Sequence, residues 1–179
     1  LGAPHLARHD RELLLERLET RLERGILVDR VRIDGTELVE APAELAESLR
    51  LRPPAWAIGR RTLADVDVAG GDRLPAGSVV IVSPWLLHHD ERWWPDAASF
   101  RPERWLADRP EGSRFAYVPF GGGPRRCIGE PFALMEGTLV LATLAKRWRF
   151  RTVSDEPPGL QAVITLRPRG GLPMVVGRR

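Results

Sequence analysis

A chain of 179 residues corresponds to about one domain, long enough to bury roughly 70% of its unfolded surface without disulfides or a structural metal. Its 43% hydrophobic and 28% charged residues exclude a disordered polar chain, its 17 Gly and 16 Pro forecast many turns, and its single Cys excludes an internal disulfide or a Cys-pair zinc site. The formal charge is +3, yet the cations, all arginine except Lys146, are interleaved with 24 carboxylates, which argues against nucleic-acid binding, and no run of about 18 apolar residues could span a bilayer.

In chain order, Leu14, Leu18 and Leu22 repeat every four residues, predicting an amphipathic helix over 9–24 that stops at Gly25. Residues 26–39 alternate around Asp34-Gly35, a hairpin signal. A second helix is expected from Pro42 to Leu51, with proline in its first turn and Pro53-Pro54 ending it. From Ala57 to Ser83 the pattern is of short strands divided by Gly70-Gly71 and Pro75-Ala76-Gly77, with Val79 to Val82 the strongest β run. Residues 84–119 hold four of the six Trp among several prolines, so they should be irregular but well packed. After Gly121-Gly122-Gly123, Pro131 opens a helix running to about Trp148, apolar on most sides and so expected to be buried. Ala162 to Leu166 and Met174 to Val176 flank Gly170-Gly171 and suggest a terminal hairpin.

The stretch with chemical content is Phe120-Gly-Gly-Gly-Pro-Arg125-Arg-Cys127-Ile-Gly129, which leads directly into that helix. It places one sulfur at a helix N-terminus, where unpaired amides and the positive end of the helix dipole favour a thiolate over a thiol. Gly121 and its neighbours let the backbone take unusual dihedrals and approach a flat ligand closely, and Arg125 could reach a carboxylate on such a ligand. A haem held by one axial thiolate, whose electron donation favours O–O cleavage, suits this arrangement. For an isolated Cys the plainer reading, a small buried hydrophobe, would be preferred.

The neighbours of Cys127 decide between these. Phe120, Gly123, Arg125, Cys127 and Gly129 together resemble the cysteine-loop signature of the cytochrome P450 family of haem-thiolate monooxygenases. Upstream, Glu47-Ser-Leu-Arg50 resembles the family's Glu-x-x-Arg, and Phe100-Arg-Pro-Glu-Arg104-Trp105 the motif that supplies a second arginine. Glu47 and Arg50 at i,i+3 could alone be an exposed ion pair worth a few tenths of a kcal/mol. The resemblance instead implies that Glu47, Arg50 and Arg104 form a buried structural network supporting the haem loops.

The same resemblance implies an α+β chain: the carboxy-terminal, haem-proximal part of a mainly α-helical fold. It has a Glu-x-x-Arg helix, a small sheet, a meander, the cysteine loop, a buried helix and a terminal hairpin. It covers residues 44–179 and leaves 1–43 as a poorly matched segment, in which the small-small-x-acid-Thr pattern of the family's central oxygen-activating helix does not occur. It implies haem b as cofactor with Cys127 as axial iron ligand, and Phe120, Gly121, Gly123, Arg125 and Gly129 as the cofactor loop. It further implies a propionate arginine at Arg60, with Arg61 beside it. Electrons would come from a ferredoxin or flavin reductase, and O2 and an apolar small molecule would be the substrates. With the arginine bias, it suggests a bacterial, cytoplasmic protein.

Two other readings remain. One is an orphaned haem-binding fragment that lacks the oxygen-activating helix and is catalytically incompetent. The other is a cysteine hydrolase or redox enzyme, which would need a histidine base at Cys127 or a resolving Cys. Its base candidates, His88 and His89, could approach only through tertiary folding; they lie in a segment resembling a His-Arg-Asp loop of the family, and all four histidines read as surface or loop residues.

Overall fold

A computed structural model describes residues 41–106 and 115–179. The helix and hairpin expected over 9–24 and 26–39 lie outside the described residues. Helix α1 (Ala41–Leu51) has Pro42 and Glu44 in its first turn and Arg50 in its last, the order the helix dipole favours. Its buried face is carried by Ala43, Glu47, Arg50 and Leu51, a spacing of one helical stripe. Two of those four side chains are charged, so the packing of α1 has to solve an electrostatic problem as well as a hydrophobic one.

The strands after Pro53-Pro54 form β1 (Ile58–Arg61), β2 (Val66–Asp67), β3 (Arg73–Leu74) and β4 (Val79–Val82). β1 pairs antiparallel with β4, Ile58 opposite Val82, and β2 pairs with β3. The chain reverses between β2 and β3 through Gly70 and Gly71, at φ of 103° and 88°, a region open to glycine at little cost. Ser83 then caps the short helix α2 (Pro84–His88), its Oγ accepting from the Leu86 amide and donating to the Trp56 carbonyl.

As expected, the described part of the meander is irregular and aromatic-rich. Trp94, Ala97 and Ala116 form a buried cluster against which Trp105 and Tyr117 pack. The rings of Trp105 and Tyr117 lie 4.5 Å apart, and the Trp94 indole donates to the Ala116 carbonyl. A 3-10 turn at Pro102–Trp105 brings the second arginine motif against α1.

Helix α3 (Glu130–Arg147) starts with Pro131 in its first turn and ends where Trp148 becomes extended, within a residue of the expected limits. Its burial is not as expected. Phe132, Met135, Leu139, Val140 and Leu144 are exposed, and only Ala145 is fully covered. The described residues that cover it come chiefly from one side, where Leu45 of α1 lies so close to Gly137 that a Cβ there would meet Leu45 Cδ2 at 2.8 Å.

The last strands are β5 (Trp148–Thr152), β6 (Leu160–Ala162), β7 (Leu166–Pro168) and β8 (Met174–Arg178). The expected hairpin between 162–166 and 174–176 is replaced by two pairings: β6 with β7, and β8 with β5. Alternation shows that strands exist but not which partner each finds. Here Leu166 N–H donates to the Pro54 carbonyl and Trp56 Nε1 to the Val163 carbonyl, anchoring β6–β7 beside the end of α1. β8 instead continues the sheet that β5 begins at the end of α3.

Candidate cofactor site

Glu47 and Arg50 are both 0% exposed. A buried carboxylate and guanidinium are tolerated only when nearly every donor and acceptor is used. Arg50 meets that condition: Nε and Nη2 donate to the two Glu47 oxygens, each at 2.9 Å. Nη1 donates to the carbonyls of His88 (2.7 Å) and Ala97 (2.8 Å), and Nη2 also to Ser99 (3.0 Å). All five guanidinium N–H groups thus have acceptors. The guanidinium carbon also lies 5.4 Å from the Trp94 ring centroid, within cation–π range.

Glu47 is shared further. Its Oε1 accepts from the Arg101 amide and its Oε2 from Trp105 Nε1, both at 2.9 Å. Arg104, the expected third charge, approaches Glu47 only as an ion pair, Nε to Oε1 at 3.4 Å and misaligned for a hydrogen bond. Its Nη2 donates to the Asp96 carbonyl instead. Burial lowers the Arg104 pKa from its ordinary value and the Glu47 charge opposes that shift. The network is therefore present with Glu47, Arg50 and Arg104 together, but the hydrogen bonds that tie Glu47 to the meander come from Trp105 and the Arg101 backbone. Trp105 directly follows Arg104, and an indole next to a buried carboxylate partner is the signal that could have identified it.

The cysteine loop is closed by its own backbone. The Cys127 amide donates to the Phe120 carbonyl (2.9 Å), Gly121 N–H to Val118, and Arg126 N–H to Gly123. Gly121 and Gly123 have φ of 78° and 66°, so the left-handed conformation requires glycine at both, while a Cβ on Gly123 would meet nothing within 4 Å. Gly129, at φ −79°, needs no such freedom, and a Cβ there would lie 3.7 Å from the Cys127 sulfur. Cys127 itself is exposed, in the two-residue approach to the α3 N-terminus. Phe120 is half-buried and Arg125 exposed. The neighbouring Arg126 is ion-paired with Glu130, whereas no carboxylate among the described residues pairs with Arg125. An exposed sulfur beside an open, glycine-shaped surface and an uncommitted arginine is a donor set that fits a thiolate-ligated haem.

Arg60 and Arg61 are both exposed, and Arg60 Nη1 bonds back to the Gly59 carbonyl. Strand alternation separates them. Arg60 shares its face with Ile58, whose Cδ1 lies 3.5 Å from where a Cβ on Gly121 would be, so Arg60 is on the cysteine-loop side of β1.

The histidines overturn the expectation of surface or loop residues at one position. His88 is 0% exposed, and burial pushes its pKa down to about 4, against a hydrogen bond to the Arg50 carbonyl that favours the charged form. His89 Nδ1 is bonded to the Trp85 carbonyl and its ring lies 4.1 Å from the Trp85 ring. Both ring nitrogens of His88 are taken by backbone groups, so neither described histidine is placed as a base for Cys127. The cysteine-hydrolase reading loses its base among the described residues.

With this geometry in view, the comparisons with known proteins are decisive. The family model for cytochrome P450 matches residues 37–172. The chain belongs to the cytochrome P450 family. It is 44% identical over 145 residues to cyclooctatin synthase of Streptomyces melanosporofaciens, covering 80% of this chain and 30% of that protein. It is 41% identical to a putative cytochrome P450 of Mycobacterium tuberculosis, covering 82% and 31%. Among solved structures, the P450 CYP175A1 of Thermus thermophilus superposes with a TM-score of 0.66 at 42% identity, over 76% of this chain and 34% of that one. A retinoic acid-bound cyanobacterial P450 superposes with a TM-score of 0.73 at 28% identity, over 91% and 38%. The chain thus spans about a third of the length of these relatives. No helix among the described residues is long and apolar enough to cross a membrane.

Proposed function

We infer that this chain is the haem-proximal part of a P450 monooxygenase, in which Cys127 would ligate the iron of haem b. The observation that supports the reading is the exposed Cys127 thiol, held behind left-handed Gly121 and Gly123 at the approach to α3. When bound, the haem supplies the oxygen activation by which one atom of O2 enters an apolar organic substrate, with electrons from a separate ferredoxin or flavin reductase. The chain's own residues hold and tune the cofactor. The Cys127 amide is committed to Phe120, which fixes the loop so that the sulfur stands near the positive end of the α3 dipole. Arg125 and Arg60 would hold the propionates, Phe120 and the loop glycines would line the macrocycle, and Glu47, Arg50 and Arg104 would brace the loop.

Purified chain loaded with haem, reduced and exposed to carbon monoxide should show the red-shifted Soret band of thiolate ligation. Cys127→Ala should lose it. Iodoacetamide should alkylate Cys127 readily before loading and poorly after. A red-shifted band that survives Cys127→Ala overturns the ligand assignment, and complete failure to take up haem would make the chain an orphaned fragment.

A further inference from the structure

His88 is a fully buried polar side chain to which the site described above gives no role. Both of its ring nitrogens meet backbone groups of fixed polarity. The Val118 amide can only donate, so Nε2 accepts, at 2.9 Å. The Arg50 carbonyl can only accept, so Nδ1 carries the proton, at 3.1 Å. The tautomer follows from the partners, and the ring stacks on Tyr117 at 5.2 Å. Arg50 returns the contact through Nη1 to the His88 carbonyl, so each residue's side chain holds the other's main chain.

Val118 is the root of the cysteine loop. Its carbonyl accepts from Gly121 N–H at 3.0 Å, and two residues on, the Phe120 carbonyl accepts from Cys127 N–H. We propose that His88 is a positioning residue for Cys127: its neutral imidazole bridges the Arg50 carbonyl at the end of α1 to the Val118 amide and so sets where the sulfur stands relative to the buried charge network. The role assumes the haem-ligand reading of Cys127. The link itself is a property of the chain without cofactor.

Amide hydrogen exchange on the haem-free chain tests it, comparing wild type with His88→Gln and His88→Asn. Glutamine carries an acceptor about as far as Nε2, whereas asparagine reaches only to the Nδ1 position and leaves the Val118 N–H unpaired. Losing that buried bond should speed exchange at Val118, Gly121 and Cys127 about tenfold in His88→Asn, and little in His88→Gln. The Arg101 amide, bonded to Glu47, should be unchanged in all three. Unaltered loop exchange in His88→Asn, equal acceleration in both variants, or the same acceleration at Arg101 would overturn the proposal. Ring 15N shifts of the wild type need no variant to fold: an Nδ1–H tautomer is expected, and an Nε2–H tautomer or imidazolium at neutral pH overturns it. On haem loading, His88→Asn should show a smaller fraction of the red-shifted carbon monoxide band. Failure of wild type to bind haem would sink the monooxygenase reading while leaving the exchange result to judge His88.

Discussion

The half of the molecule built around α1 and the meander buries Glu47, Arg50 and His88, while the half built around the cysteine loop and α3 leaves Ile128 99% exposed and Phe132, Met135 and Leu139 more than half exposed. Each half departs from the usual distribution of polar and apolar residues. In the first half charge is tolerated because each donor on Arg50 and both oxygens of Glu47 are engaged, so removing any one partner leaves another group stranded. In the second half apolar side chains and a thiol meet water, at about 25 cal/mol per Å2 of apolar surface, so that face gains from an apolar partner. One half supplies rigidity and the other a receptive surface.

The largest break in that contrast should come from Glu47→Ala, which strands Arg50 in the interior together with the Trp105 indole and the Arg101 amide. A loss of ~3–5 kcal/mol is expected, read as a fall in the urea midpoint with loss of haem retention. A variant within about 1 kcal/mol of wild type that holds haem normally would show that the network is not what braces the loop.

Acid should act next. His88 takes up its proton near 6.5 when unfolded and only near 4 when folded, so between those values the unfolded state binds more protons and stability falls as pH falls. The window corresponds to an order of 3 kcal/mol, and the groups that further disfavour the imidazolium are Arg50 from α1 and the adjacent His89. His88→Gln should flatten this part of the stability-versus-pH curve. An unchanged slope in that variant would mean that His88 titrates like a solvated histidine.

Gly121→Ala should cost roughly 1–3 kcal/mol, because alanine at φ 78° is strained even where space is available, and the loop should lose thiolate ligation before the network loses stability. The smallest effect on folding belongs to Cys127→Ala, expected within about 0.5 kcal/mol because the side chain is exposed, although it removes the proposed iron ligand entirely. A large destabilisation by Cys127→Ala would contradict the description of this half as a surface rather than a core.

The limits of α1 and α3 were legible because prolines and the end of apolar periodicity act within a few residues. The cysteine loop was legible for the same reason, since Phe120 to Gly129 lie in one short stretch. Trp105, 58 residues from the Glu47 oxygen it serves, is marked only by its place beside Arg104, and His88, 30 residues from Val118, carries no local mark of its role. The paired strands were visible as strands, but β8 chose β5 because α3 delivers β5 to its side, a fact of arrangement rather than alternation. α3 was read as buried from composition, whereas burial depends on what lies opposite.

The chain by itself thus determined the family, the cysteine loop and the helix that follows it, because those depend on residue type and short spacing. Tertiary structure alone decided that a histidine read as a surface or loop residue is buried and neutral, that an indole and a backbone amide join Glu47 where Arg104 only approaches it, and that the apolar helix faces outward. Hydrogen bonds and burial are made between segments, and their energies exist only once the segments meet.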